Sequence, residues 1–375
     1  MNLATSLEPV IDPNNRITFL LDWELTMKCN LDCSYCETGI YGGHDNSTRH
    51  PPQDECLKTI DFMFKYADAY MSTKPRGLRY VILNVYGGEA LHHPHIVEIL
   101  STLRECYKKY QDAWHLTVTT TTNAIIAPHR LDKIIPLIDE FTVSYHTDNS
   151  PEQKQQFQEN LLKIKSAGCR QKCIVLMHPE TEKFVDAKNM IKWLTENNIN
   201  YLPRQLDHPP SVTDFNYTQQ QVIWFEKLYK TPLDSSVTRS DNTVDLAATG
   251  RSCCGGRSLC SNQNRRDPQK FVSNNFPGWY CSVNHFFLYI KQVNGEVYVN
   301  KDCKMNFDGT VGPIGNLSNT QPMIDLAQDH DRPVIKCAKR RCNCGLCAPK
   351  AADLDTYNHI MKKYEIPNTN LRDQA

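Results

Sequence analysis

Residues 17–36 read ITFLLDWELTMKCNLDCSYC: an apolar stretch, Ile17 to Leu21, that leads into three cysteines, Cys29, Cys33 and Cys36, spaced C-x3-C-x2-C. Residues 17–25 have strand character, so the cysteines fall on the loop that follows a first strand. Thiolates are soft ligands suited to iron–sulfur clusters or to zinc. Three of them close together can hold three irons of a [4Fe–4S] cluster, leaving the fourth iron open to another ligand. A zinc site built from the same cysteines, with a fourth ligand such as His44, is the competing reading.

From that strand outward the chain alternates. Residues 54–71 have helical spacing, with Leu57, Ile60, Phe64, Ala67 and Met71 on one face. Strand-like and helix-like segments then follow in turn: 80–85 and 95–110, 116–121 and 129–138, 141–145 and 151–167, 173–177 and 184–196, 201–206 and 218–229. Six strand–helix units in strict alternation predict parallel strands joined by right-handed crossovers. Six units suit a partial (β/α)6 barrel better than a closed eight-stranded one. The alternation stops at residues 233–277, which are rich in Ser, Asn, Asp, Arg and Gly. Beyond them, 286–293 and 296–299 predict a hairpin turning at Asn294-Gly295. The expected fold class is therefore α/β, with a core over residues 1–235 and a small cysteine-rich α+β domain over 236–375.

Composition narrows the function classes. The chain has 375 residues, enough for a substantial core, and its 42 Lys+Arg balance 42 Asp+Glu. That balance gives no support for a nucleic-acid-binding surface. No apolar run is long enough for a membrane span, and residues 1–15 lack a secretory apolar core, so a cytoplasmic protein is expected. The 16 cysteines are the outlier. In a long chain without an export signal, two tight clusters of cysteine predict metal sites rather than disulfides. The scattered Cys56, Cys106, Cys169 and Cys173 read as buried structural residues.

Gly87-Gly88-Glu89 ends the second strand. Two glycines let the backbone approach a ligand, and the glutamate offers an anionic acceptor. Together with Cys29, Cys33, Cys36 and the aromatic Tyr35 just before the third cysteine, this resembles the radical S-adenosylmethionine (SAM) superfamily. The resemblance implies SAM at the open iron and its reductive cleavage to a 5′-deoxyadenosyl radical that takes a hydrogen from substrate. It implies that Gly87, Gly88 and Glu89 bind the SAM amino group. Polar strand ends, Asn123 and Ser144 here, would bind its ribose and carboxylate; helix-cap or turn roles are the alternative for both. His146, Asp148, His178 and Arg204 also lie at or near strand ends, facing SAM, substrate or neither.

Nine cysteines lie beyond residue 250: Cys253, Cys254, Cys260, Cys281, Cys303, Cys337, Cys342, Cys344 and Cys347. Cys281 and Cys303 flank the hairpin, and residues 312–317 (GPIGNL) follow it. The array resembles the SPASM and twitch domains, which hold one or two auxiliary [4Fe–4S] clusters. It departs from their pattern, because seven residues separate Gly295 from Cys303 and the later run reads C-x4-C-x-C-x2-C. The candidate auxiliary ligands are Cys254, Cys260, Cys281, Cys303, Cys337, Cys342, Cys344 and Cys347. An adjacent pair such as Cys253-Cys254 would supply one ligand.

The resemblance fixes an initiating step, not a product. The first reading is modification of a ribosomally synthesised peptide, as many enzymes with such cysteine-rich domains perform. Only sixteen residues precede the first strand, so a leader-binding domain would be a separate protein. The alternative is oxidation, epimerisation or rearrangement of a small molecule such as a sugar, nucleotide or amino acid. A non-catalytic metal scaffold is a third reading, which the Gly-Gly-Glu motif opposes. An electron donor such as flavodoxin or ferredoxin is the expected partner.

Overall fold

The computed structural model describes residues 6–7, 17–36, 49–74, 79–206, 217–230, 278–301, 303–306, 310–329, 334–337 and 350–362. The six predicted units are present. Strands β1 (Ile17–Thr26), β2 (Arg79–Gly87), β3 (His115–Thr122), β4 (Glu140–Tyr145), β5 (Arg170–Met177) and β6 (Tyr201–Gln205) lie side by side in sequence order, every neighbouring pair parallel. Helices α1 (Gln53–Ser72), α2 (Ile96–Tyr107), α3 (Pro128–Ile134), α4 (Pro151–Ser166), α5 (Thr181–Glu196) and α6 (Gln219–Lys230) each follow a strand. The fold is the α/β partial barrel expected.

Period-two alternation along β1 explains how the sheet is covered. Phe19, Leu21, Trp23 and Leu25 are buried in the main core with Ile60, Met63, Ala67 and Met71 of α1. Each such large side chain contributes about 1.5–3 kcal/mol of burial. Leu20, Asp22 and Glu24 point to the concave face. Helix starts are chemically marked: at α4 the Ser150 side chain accepts from the Gln153 N–H, the Gln153 side chain returns to the Ser150 N–H, and Pro151 occupies the first turn.

The predicted hairpin forms as β7 (Phe287–Lys291) and β8 (Glu296–Tyr298), with Gly295 at φ +69° in the turn. Its placement could not be read from the sequence. β7 pairs parallel with β1, Asp22 opposite Tyr289 and Glu24 opposite Lys291. A short third strand, β9 (Gly315–Asn316), pairs with β8. One nine-stranded sheet therefore runs across the expected boundary near residue 235. α7 (Gln321–Gln328) packs on α1 and adds Met323 and Ala327 to the main core. The Tyr70 hydroxyl donates to the His285 carbonyl. Four two-residue strands, Ser6–Leu7, Lys350–Ala351, Tyr280–Cys281 and Ile335–Lys336, make a second, antiparallel sheet, and α8 (Leu354–Met361) follows. No described helix is long and apolar enough to cross a membrane.

Asn160 of α4 fixes the loop behind β3. Its buried amide donates to the carbonyls of Ala124 and Ile126, both at 2.8 Å, where Ala124 holds φ +54°. Asn160→Leu should lower unfolding free energy by about 1–3 kcal/mol in denaturant titration, because the Ala124 carbonyl loses this donor in a buried setting.

Candidate active site

The cysteine loop leaves β1 through a β-bulge at Leu25, where the register with β2 shifts between Glu24 and Thr26. Bulges re-aim a strand end, and this one turns the chain across the barrel mouth. The Gly88 N–H donates to the Thr26 carbonyl at 2.7 Å, and the Glu89 N–H to that of Lys28 at 2.9 Å. The glycines are required by this contact. A Cβ at Gly87 would lie 1.9 Å from the Thr26 oxygen, and one at Gly88 would lie 2.4 Å from the Met27 oxygen. Gly87 also holds φ +153°. The motif thus brings its backbone close to the cysteine loop itself.

Glu89 is buried, and its carboxylate is occupied. Oε1 accepts from the Leu91 N–H at 3.1 Å and the Thr122 hydroxyl at 2.9 Å; Oε2 accepts from the Asn123 N–H at 2.6 Å. Burial lifts the carboxyl to about 7, against the pull of these donors. Glu89 links the end of β3 to the loop after β2. Asn123 carries the link onward: its amide donates to Asn30 Oδ1 at 2.8 Å and approaches Cys29 Sγ at 3.8 Å, while its Oδ1 accepts from the Ile125 N–H. Asn30 in turn donates to the Ile125 carbonyl.

The end of β4 grips the other side of the loop. Asp148 Oδ2 accepts from both the N–H and hydroxyl of Ser34, at 2.9 and 2.8 Å, and Lys183 pairs with Oδ1 at 2.8 Å. His146 Nδ1 lies 2.8 Å from the Tyr35 hydroxyl and 3.3 Å from Cys33 Sγ, its ring parallel to that of Tyr35. Burial pushes this imidazole down to about 4, leaving it neutral at pH 7. The loop returns toward α1 through His50, whose Nδ1 is 3.1 Å from the Thr26 hydroxyl.

Cys29, Cys33 and Cys36 form no disulfide. Burial, then the charge of neighbouring cysteines and carboxylates, pushes Cys29 up to about 11 and Cys33 to about 12, so ligation to a metal must displace protons. The donor set fits an iron–sulfur cluster: three thiols on one loop, with the Leu31 N–H 3.4 Å from Cys29 Sγ and the Asn123 amide nearby. Among the described residues no three His, Cys, Asp or Glu gather about a single ion. A cluster whose cysteines hold different irons does not require that convergence.

Of the other predicted residues, Ser144 sits in β4 opposite Ile174. Cys281, Cys303 and Cys337 are buried together with Leu20, Ile82 and Phe287 at the amino-terminal end of the concave face. Cys254, Cys260, Cys342, Cys344 and Cys347, with Cys253 and His44, lie outside the described residues. Sequence reading noted Thr122 only as a polar strand end and missed Asn30 and Glu24. Only Glu24 left a signal, as a charged residue at alternating spacing with Asp22 in an apolar strand.

An open parallel barrel with three cysteines after its first strand and a glycine pair clamped onto them defines the class. Residues 23–194 match the radical SAM superfamily model. Domains of this type use a [4Fe–4S] cluster and SAM. No curated protein matches the chain. Its fold is similar to that of hexahistidine-tagged anSMEcpe with bound AdoMet, at 13% identity and TM-score 0.51 over 93% of this chain and 96% of that one. Native anSMEcpe with bound AdoMet and the Cp18Cys peptide is similar at 15% identity and TM-score 0.48, covering 92% and 96%. At these identities the likeness concerns fold.

Two outcomes follow. Gly88→Ala should lower stability by about 2–4 kcal/mol, whereas Gly312→Ala, with nothing within 4 Å of its Cβ, should change thermal unfolding little. Because the Glu89 carboxyl rises from 4.5 to about 7 on folding, the stability contributed by its protonated form is full below pH 4.5 and is lost as pH rises through 7. Glu89→Gln should flatten that part of the stability–pH curve measured by denaturant titration.

Proposed function

We propose that the chain is a radical SAM enzyme that modifies a ribosomally synthesised peptide, with its SAM-binding cluster on Cys29, Cys33 and Cys36. The observation that carries the SAM-cleaving reading is the clamping of the cysteine loop by Gly88 and Glu89 at the mouth of a barrel that matches the radical SAM superfamily model. Bound together, a [4Fe–4S] cluster and SAM supply reductive cleavage of SAM to a radical that abstracts a substrate hydrogen. The chain's own task is placement. Asn123, His146 and Asp148 hold the loop from two strand ends. Gly87 and Gly88 keep the backbone edge close to the loop for the SAM amino group. Tyr35, Asn123 and Ser144 are assigned to the rest of SAM, and Glu89 acts by fixing this edge, since its oxygens already accept three bonds.

The peptide reading rests on the later cysteines and their likeness to SPASM and twitch domains. Cys281, Cys303 and Cys337 in one buried group support an auxiliary cluster there. In this proposal residues 1–235 are the core and 236–375 the auxiliary region, which lends its hairpin to the core sheet. Small-molecule oxidation or rearrangement is the second reading, favoured by the density of polar groups on the concave face. A flavodoxin or ferredoxin would deliver the electron.

Anaerobically reconstituted, reduced protein with SAM should release 5′-deoxyadenosine, and replacing Cys29, Cys33 and Cys36 with Ala should abolish it together with the iron bound there. Persistent product in that variant contradicts the site. Co-expression with a short peptide encoded beside the gene should change the peptide's mass; an unchanged peptide and a converted small molecule would favour the second reading.

A further inference from the structure

The concave face of the barrel holds a buried carboxylate that no described residue neutralises. Glu24 is fully buried. Its Oε2 accepts from the Tyr289 hydroxyl at 2.9 Å, and its Oε1 has no hydrogen-bond partner among the described residues. Lys291 is its register neighbour on β7. Directly below, Asp22 accepts from Asn84, which accepts from Thr119. Tyr86, Tyr289 and Tyr298 form a compact buried group at this level. Two of their ring faces carry cations from the chain itself: Lys301 Nζ lies 4.6 Å above Tyr86, and Lys304 Nζ 5.8 Å above Tyr298.

A buried carboxylate oxygen without a donor is costly, and aromatic faces attract organic cations. This layer lies on the concave face, between the cysteine loop above and Leu20, Ile82 and Phe287 below. We propose that Glu24, Tyr86 and Tyr298 form a subsite for an organic cation, the ammonium or guanidinium group of the substrate. The charged nitrogen donates to Glu24 Oε1 and takes the ring face that Lys301 holds in its absence. Lys301 is then a place-holder, which explains an ammonium in the layer that makes no ion pair with the carboxylate. The inference rests on the enzymatic reading above and narrows its substrate to one carrying a side-chain or terminal cation.

The test uses the reconstituted full-length enzyme with SAM bound, titrated by calorimetry with n-butylammonium, n-butylguanidinium and uncharged 1-butanol. At least one cation should bind about tenfold more tightly than the alcohol, and whichever binds names the group. Glu24→Gln should remove that preference with iron content and SAM affinity retained; Tyr86→Leu, which leaves the carboxylate in place, should weaken the cation severalfold. Equal binding of cation and alcohol, no binding of either cation, or full cation affinity in both variants overturns the subsite. Release of 5′-deoxyadenosine by wild-type protein with SAM alone reports on the enzymatic reading separately, since no probe enters it.

Discussion

Two backbone hydrogen bonds, from Gly88 to Thr26 and from Glu89 to Lys28, hold the site together. They exist because no Cβ stands between the ends of β1 and β2. The cysteine loop must cross the barrel mouth at one height, and this contact sets it. Asn123 and Asp148 then fix the two sides of a loop that has little regular structure of its own. Each tie comes from the carboxyl end of a different strand, where a parallel barrel gathers chemistry from segments distant in sequence.

The same geometry orders the barrel interior. Alternation along β1 sends large apolar residues to the helices and leaves Leu20, Asp22 and Glu24 for the concave face. The hairpin laid beside β1 adds Phe287, Tyr289 and Tyr298 to that face. The result is layered: cysteine loop, carboxylate and tyrosines, then an apolar floor that includes Cys281, Cys303 and Cys337. Cys281, Cys303 and Cys337 thus sit on the side of the tyrosine layer opposite the first three.

Much of this was legible in the sequence for physical reasons. Period-two and period-3.6 patterns mark the six strand–helix units, and Asn294-Gly295 marks the hairpin, because local conformation dictates those residues. Pairing of β7 with β1 was not legible, since it joins segments some 260 residues apart and leaves no local mark. The triad and the Gly-Gly-Glu motif were readable as motifs, and the fold brings their backbones into contact. The role of Glu89 was not readable: its carboxylate reads as a ligand acceptor in sequence, but in the fold it receives Leu91, Thr122 and Asn123. Asn123 reads as a SAM contact in sequence, and in the fold its amide also holds Asn30. Short polar residues at strand ends can serve ligand or loop equally, and only the fold shows which neighbours they meet.

The central claim is that Cys29, Cys33 and Cys36 present a cluster with one iron open to SAM. Electron paramagnetic resonance of the reduced, reconstituted protein tests it most directly. The account predicts a [4Fe–4S]+ signal that changes shape when SAM is added and is absent when the three cysteines are replaced. A signal indifferent to SAM, or one that survives their replacement and still responds to SAM, would contradict it.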